Sequence, residues 1–204
     1  MWIQPSGHGT FSETDPERHS ILRRRVAQAY AMTSILGYEQ KIQKLLDANW
    51  LQFTHLAATK QTLDMHHWAS YFAYDVVSEL ALGRAFGMVK QGRDVDDYMK
   101  AVLGNFWMGA NLGHIPGQRK WLNNPISPYL IRFFGGDTLK GTFKFREYVR
   151  KAVQDRFDSK QKRDIPDMLQ HFIEAKDRDG SSVSFSDVMK EASIVRMFSI
   201  FGFC

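Results

Sequence analysis

The chain has 204 residues and a single cysteine, Cys204. One thiol excludes an internal disulfide framework and a zinc site built from several cysteines, and it fits a reducing compartment. No run of about 18 apolar residues occurs, so no membrane-spanning helix is encoded. The opening MWIQPSGHGTF lacks the apolar centre of a signal peptide. Six prolines and fifteen glycines exclude collagen-like or low-complexity organisation. Charge of one sign is hardly in excess: Lys+Arg 27 against Asp+Glu 22 leaves +5, spread along the chain. That reads as a solvated basic surface, with an anion site or an acidic membrane surface as the alternatives. No basic run is interleaved with aromatics in a recognisable module, so nucleic acid is not an expected partner. Nucleophile elbow, phosphate-cradling glycine loop, zinc spacing and EF-hand loop are all missing.

What is present is helix-forming pattern, and the fold class it implies is all-α. A hydrophobic content of 44% supports one sizeable core. Asp15-Pro16 is a start signal, with Asp as N-cap and Pro at the first helical position. Apolar residues Ile21, Leu22, Val26 and Ala29-Tyr30 follow at helical spacing. A second helix is expected over 34–56, its face made by Ile35, Tyr38, Ile42, Leu45-Leu46 and Trp50 or Phe53. Asp64 caps a third, with Trp68, Tyr71-Phe72, Val76 and Leu80 inward and Gly83 as its stop. A fourth is expected over 95–111. Residues 113–128, GHIPGQRKWLNNPISP, read as an internal loop that leads into the apolar stretch Tyr129 to Phe134. A long amphipathic helix over 138–159 follows, with Phe143, Val149, Val153 and Phe157 inward, then shorter helices over 166–175 and from Phe185, separated by the turn at Asp179-Gly180. The 204 residues form a single domain by this reading, without repeats.

Few residues offer chemistry. His19 and Arg23 lie four apart and share a helix face. An imidazole donor beside a guanidinium fork suits a pair of carboxylates or a phosphate, although solvated His and Arg at this spacing are common. Arg24 and Arg25 point elsewhere, to pair with acids or to meet a partner. His66 and His67 are adjacent, so they diverge on a helix and cannot jointly bind a metal. No metal site and no catalytic set emerges.

Three segments together resemble the cytochrome P-450 family of haem-thiolate monooxygenases, in its fungal form. The stretch FSETDPERHSILRRRVAQAYAMTSILGYEQKI, with His19-x-x-x-Arg23, resembles the region of helices C and D. DMHHWASYFAYDVVSELALGRAFGMV resembles the E-helix signature in Asp75, Val76, Glu79, Leu80, Gly83, Phe86 and Gly87. PDMLQHFIEAKDRDG followed by VSFSDVMKEA resembles the helix before the long I helix and that helix's first turns. The resemblance covers about Phe11 to Ala192. It implies a partial P-450 domain running from about helix C to the start of helix I.

By that resemblance His19 and Arg23 are the contacts to the haem propionates, whose burial needs paired hydrogen bonds. The family inserts one oxygen atom from dioxygen into a small apolar organic substrate, with electrons from an NADPH-cytochrome reductase, at the cytosolic face of the endoplasmic reticulum membrane. Residues 95–134 would line the substrate entrance and face the membrane. Residues 193–204 depart from the family: the tail IVRMFSIFGFC has no acid-threonine pair, and Cys204 lacks the Phe-x-x-Gly loop of a thiolate ligand. The Glu-x-x-Arg pair that braces the family core is also expected to be missing. The chain is therefore expected to be an inactive fragment that does not hold haem stably. Such a fragment would leave apolar faces such as Trp68/Phe72/Leu80 without all their partners, favouring aggregation. The competing reading is a non-catalytic helical binding module. It would meet a membrane surface through Arg119, Lys120, Trp121 and the Tyr129 to Phe134 patch.

Overall fold

A computed structural model describes residues 10, 13–112, 127–159, 165–176, 180–189 and 191–192; the expected loop from 113 and the tail from 193 lie outside them. Helices account for nearly all regular structure. They are α1 (Pro16–Ala27), α2 (Met32–Gly37), α3 (Glu39–Ala58), α4 (Met65–Leu82), the short α5 (Met88–Gln91), α6 (Tyr98–Leu112), α7 (Ser127–Ser159), α8 (Met168–Glu174) and the helical residues 185–189 and 191–192, here α9. Among the described residues there is no strand, only one antiparallel bridge between Lys176 and Ser182 across the Gly180 turn. The all-α class stands.

Local rules set the ends. Asp15 accepts hydrogen bonds from Glu17 N and Arg18 N and caps α1 with Pro16 in its first turn. Asp64 does the same for α4 through His66 N and His67 N. Gly83, at φ 69°, ends α4 in the left-handed conformation that side chains disfavour.

Four expectations need correction. The helix expected over 34–56 is two helices that break at Tyr38. Its buried ring sends the hydroxyl back to Ala29 O at 3.3 Å, and burial, its main cause, pushes its pKa up to about 12. The long helix begins at Ser127, eleven positions before Thr138, because Pro128 is tolerated in a first turn and Gly135-Gly136 do not interrupt the hydrogen-bond ladder. Within it Phe143 is 66% exposed, while Phe145 points inward with Val149 and Val153. The true stripe follows 145, 149 and 153, four apart, and the expected one began on the wrong side of it.

The fourth correction concerns α4. Its buried face is Trp68, Tyr71, Tyr74, Asp75, Ser78, Ala81 and Leu82, with Phe72, Val76 and Leu80 half-buried. Phe53 of α3 meets Trp68 edge-on at 5.5 Å, and Tyr71 lies at 6.1 Å. The core runs from Val26 and Ala29 through α4 and α5 to Tyr98, Val102, Phe145, Val149, Val153, Leu169, Phe172 and Val188. An aromatic cluster of Phe86, Tyr98, Phe145 and Tyr148 joins α4's end to α6 and α7. The last two helices approach closely at Gly141, where an added Cβ would lie 2.8 Å from Ala101 Cβ and 2.9 Å from Asp97 O.

Candidate functional site

The site predicted from sequence lies on α1. Helical periodicity puts His19 and Arg23 one turn apart on one face, as expected. His19 is half-buried and Arg23 exposed, and among the described residues no hydrogen bond or ion pair engages either side chain. Two donor-bearing groups thus share one helix face without acceptors among the described residues. Most of the rest of α1 is polar: Val26 is its one buried residue.

The arginine run divides by depth. Arg24 is exposed, whereas Arg25 is half-buried and pairs with Asp187 of α9 at 3.6 Å. One turn along α9, Glu191 is buried and accepts from both Thr10 N at 3.1 Å and Thr10 Oγ1 at 2.7 Å. Burial raises the Glu191 carboxyl above the ordinary carboxylate range, against the opposing pull of the Thr10 hydrogen bonds and Arg25. Sequence patterning missed this link because the partners are 181 positions apart.

Asp75 is also buried. Its Oδ1 accepts from Gly87 N at 2.8 Å and Met88 N at 3.1 Å, and its Oδ2 from Val89 N at 2.9 Å. Those are the donors that α5 would otherwise leave open at its start. Ser78, a turn further along α4, receives Phe86 N at 3.0 Å. Asp75 and Ser78 of the E-helix-like segment therefore fasten the turn after α4.

An apolar cavity of about 20 Å³ lined by Tyr74, Val77, Phe86, Val102, Phe145 and Ala192 has room for about one water molecule. No group of three or more His, Cys, Asp or Glu side chains able to hold a metal occurs among the described residues. A Glu-x-x-Arg spacing occurs at Glu147 and Arg150 of α7. Arg150 Nε lies 3.2 Å from Glu147 Oε2 with both side chains about two-thirds exposed, an i,i+3 surface pair instead of a buried brace. The dipeptide Asp137-Thr138 also lies in α7, well before α9 in chain order.

The family model for cytochrome P450 matches residues 3–199, and the chain belongs to that family. It is 30% identical over 175 residues to the cytochrome P450 monooxygenase vrtE of Penicillium aethiopicum, covering 84% of this chain and 31% of that protein. A pisatin demethylase of Fusarium vanettenii is 28% identical over 117 residues, 57% of this chain and 23% of its own length. A crystal structure of a cytochrome P450 superposes with a TM-score of 0.69 at 17% identity, covering 95% of this chain and 39% of that one. The fold is thus that of the family. The chain spans less than two-fifths of the length of these relatives.

Proposed function

We propose that this chain is the part of a haem monooxygenase that supplies a propionate-binding helix, and that His19 and Arg23 are its contacts. The observation that carries the reading is the His19/Arg23 pair itself: one turn apart on α1, His19 half-buried and Arg23 exposed, without acceptors among the described residues, in a chain of the cytochrome P450 family. The donor set fits the group. A guanidinium presents a planar fork to one carboxylate, and an imidazole N–H serves the second. When bound, haem supplies the redox chemistry by which the family inserts one oxygen atom of dioxygen into an organic substrate. The work of the residues here is to bind and orient: Arg23 holds a carboxylate by charge-assisted hydrogen bonds, and His19 donates from the half-buried side of the helix.

The reading extends to partners. The complete protein would take a small apolar organic substrate and receive electrons from an NADPH-cytochrome reductase, at the cytosolic face of the endoplasmic reticulum membrane. Exposed Leu103 and Trp107, one turn apart on α6, support contact with a membrane surface. No helix among the described residues is long and apolar enough to cross a membrane. The 204-residue chain alone would bind haem weakly and perform no oxygenation, because it carries neither a thiolate loop nor the other defining motifs in their family context.

Titration with haem tests the proposal. The chain should bind with a Soret shift, and His19→Ala with Arg23→Ala should weaken affinity roughly tenfold, as for loss of charged hydrogen bonds. Unchanged affinity in the double variant would overturn the assignment. A carbon monoxide difference spectrum with a thiolate band from the isolated chain would overturn the expectation of inactivity.

A further inference from the structure

We propose that Asp187 and Glu191 of α9 are positioning residues that set the orientation of α1, and through it the direction in which His19 and Arg23 face. The proposal rests on the reading of α1 as the propionate-binding helix, but its structural basis is separate.

Helix α1 has little apolar material with which to define its own rotation. Its sequence PERHSILRRRVA buries only Val26, with Ile21 and Leu22 half-buried. Hydrophobic burial is non-directional, and a face of one buried residue leaves the azimuth of a helix weakly specified. Directional contacts supply what packing does not. Asp187 and Glu191 are four apart in helical residues, so both carboxylates project from one face of α9. Asp187 holds Arg25 in the last turn of α1. Glu191 holds Thr10, five positions before the Asp15 cap, through a backbone and a hydroxyl donor.

The two tethers therefore bracket the pair: Thr10 lies before His19, and Arg25 lies after Arg23. A helix fixed ahead of its start and in its last turn to the same external face cannot rotate without breaking one of them. A third tie acts just past the end of α1, where the Tyr38 hydroxyl donates to Ala29 O. The depth of the contacts gives them weight. Arg25 retains 15% of its side-chain exposure and Asp187 31%, and Glu191 is buried, so solvent competes less than at a surface pair. Ser184 Oγ accepts Asp187 N at 3.2 Å and stiffens the start of α9, from which Asp187 reaches out.

This assigns distinct roles inside one arginine run. Arg23 faces the ligand and Arg25 is the lever. Arg24, exposed, does neither.

Hydrogen exchange and haem titration on the 204-residue chain test the proposal together. In the parent, α1 amides should be protected. Glu191→Ala and Asp187→Ala should each speed α1 exchange roughly fivefold while α4 amides stay unchanged. Glu191→Gln, which keeps an acceptor for Thr10, should restore parent behaviour. Glu191→Ala should also weaken haem affinity several-fold, and that loss should vanish in a His19→Ala/Arg23→Ala background, as coupled sites require. Unprotected α1 amides in the parent, or α1 exchange that ignores both α9 substitutions, would overturn the tether. If the His19/Arg23 variant weakens haem binding but Glu191→Ala does not, positioning fails and the propionate reading stands. If neither variant changes haem binding, the propionate reading fails, and the positioning role falls with it; α1 exchange then still reports the tether by itself.

Discussion

Asp75 Oδ2 accepts the backbone N–H of Val89 at 2.9 Å while its other oxygen takes Gly87 and Met88, so one carboxylate on α4 closes the start of α5 fourteen residues away. The side chain is 1% exposed. Three N–H donors favour the charged form, yet burial outweighs them and lifts the carboxyl above its ordinary value. This contact, more than the sequence of α5 itself, explains why a four-residue helix forms at all.

Substitution of Asp75 should therefore be costly. Asp75→Asn retains one oxygen but presents an amide N–H where Val89 N–H needs an acceptor. A loss of about 1–3 kcal/mol is expected, the cost of a buried unsatisfied group. Chemical denaturation of the variant against parent checks it; a change within about 0.5 kcal/mol, typical of surface substitutions, would count against the contact.

A second buried pair joins α7 to α8. Arg156 Nη2 lies 2.5 Å from Asp167 Oδ2, with side chains 9% and 0% exposed, and Asp167 Oδ1 caps α8 through Gln170 N at 2.8 Å. Arg156→Met should cost about 3–5 kcal/mol by stranding a buried carboxylate. Pairing it with Asp167→Asn, which keeps the cap, should recover a large part of that loss. Additive losses in the double-mutant cycle would show that the two side chains do not interact.

Gly141 offers a test of helix packing. Alanine is the better helix former by about 1 kcal/mol. Here its methyl would meet Ala101 Cβ and the Asp97 carbonyl below 3.0 Å, backbone and a short side chain that cannot swing away. Overpacking of this kind costs about 1–3 kcal/mol, so Gly141→Ala should lower the Tm. A raised Tm would mean α6 and α7 lie further apart than described.

Glu191 gives the pH dependence a sign. Its folded carboxyl is raised, chiefly by burial, so its contribution to stability is complete below the ordinary carboxylate value and is lost as pH rises through the folded value. Glu191→Gln removes that titration and keeps the acceptor. The variant should gain in Tm relative to parent as pH rises from the ordinary carboxylate range toward neutrality. Parallel Tm curves across that window would contradict the burial of this group.

Local features of this fold were legible in sequence, and non-local ones were not. Asp15-Pro16, Asp64 and Gly83 announced their caps because capping depends on residues within a turn of one another. His19 and Arg23 were found because four-residue spacing fixes a shared face. Phe143 was misplaced because Phe143 and Phe145 are both large and apolar, and only the neighbouring α6 decides which of two adjacent stripes turns inward. Tyr38 looked like one more apolar position on a continuous helix; its hydroxyl bond to Ala29 bends the chain there. Thr10 and Glu191, and Asp75 with 87–89, carry no periodic signal, since a side chain's choice of a distant backbone donor leaves no mark on spacing.

The most direct test of the propionate assignment compares haem with its dimethyl ester, in which both carboxylates are neutralised. The chain should bind free haem roughly tenfold more tightly than the ester, and His19→Ala with Arg23→Ala should erase that preference while leaving ester affinity unchanged. Equal affinity of the parent chain for the two would contradict the claim that α1 recognises carboxylates.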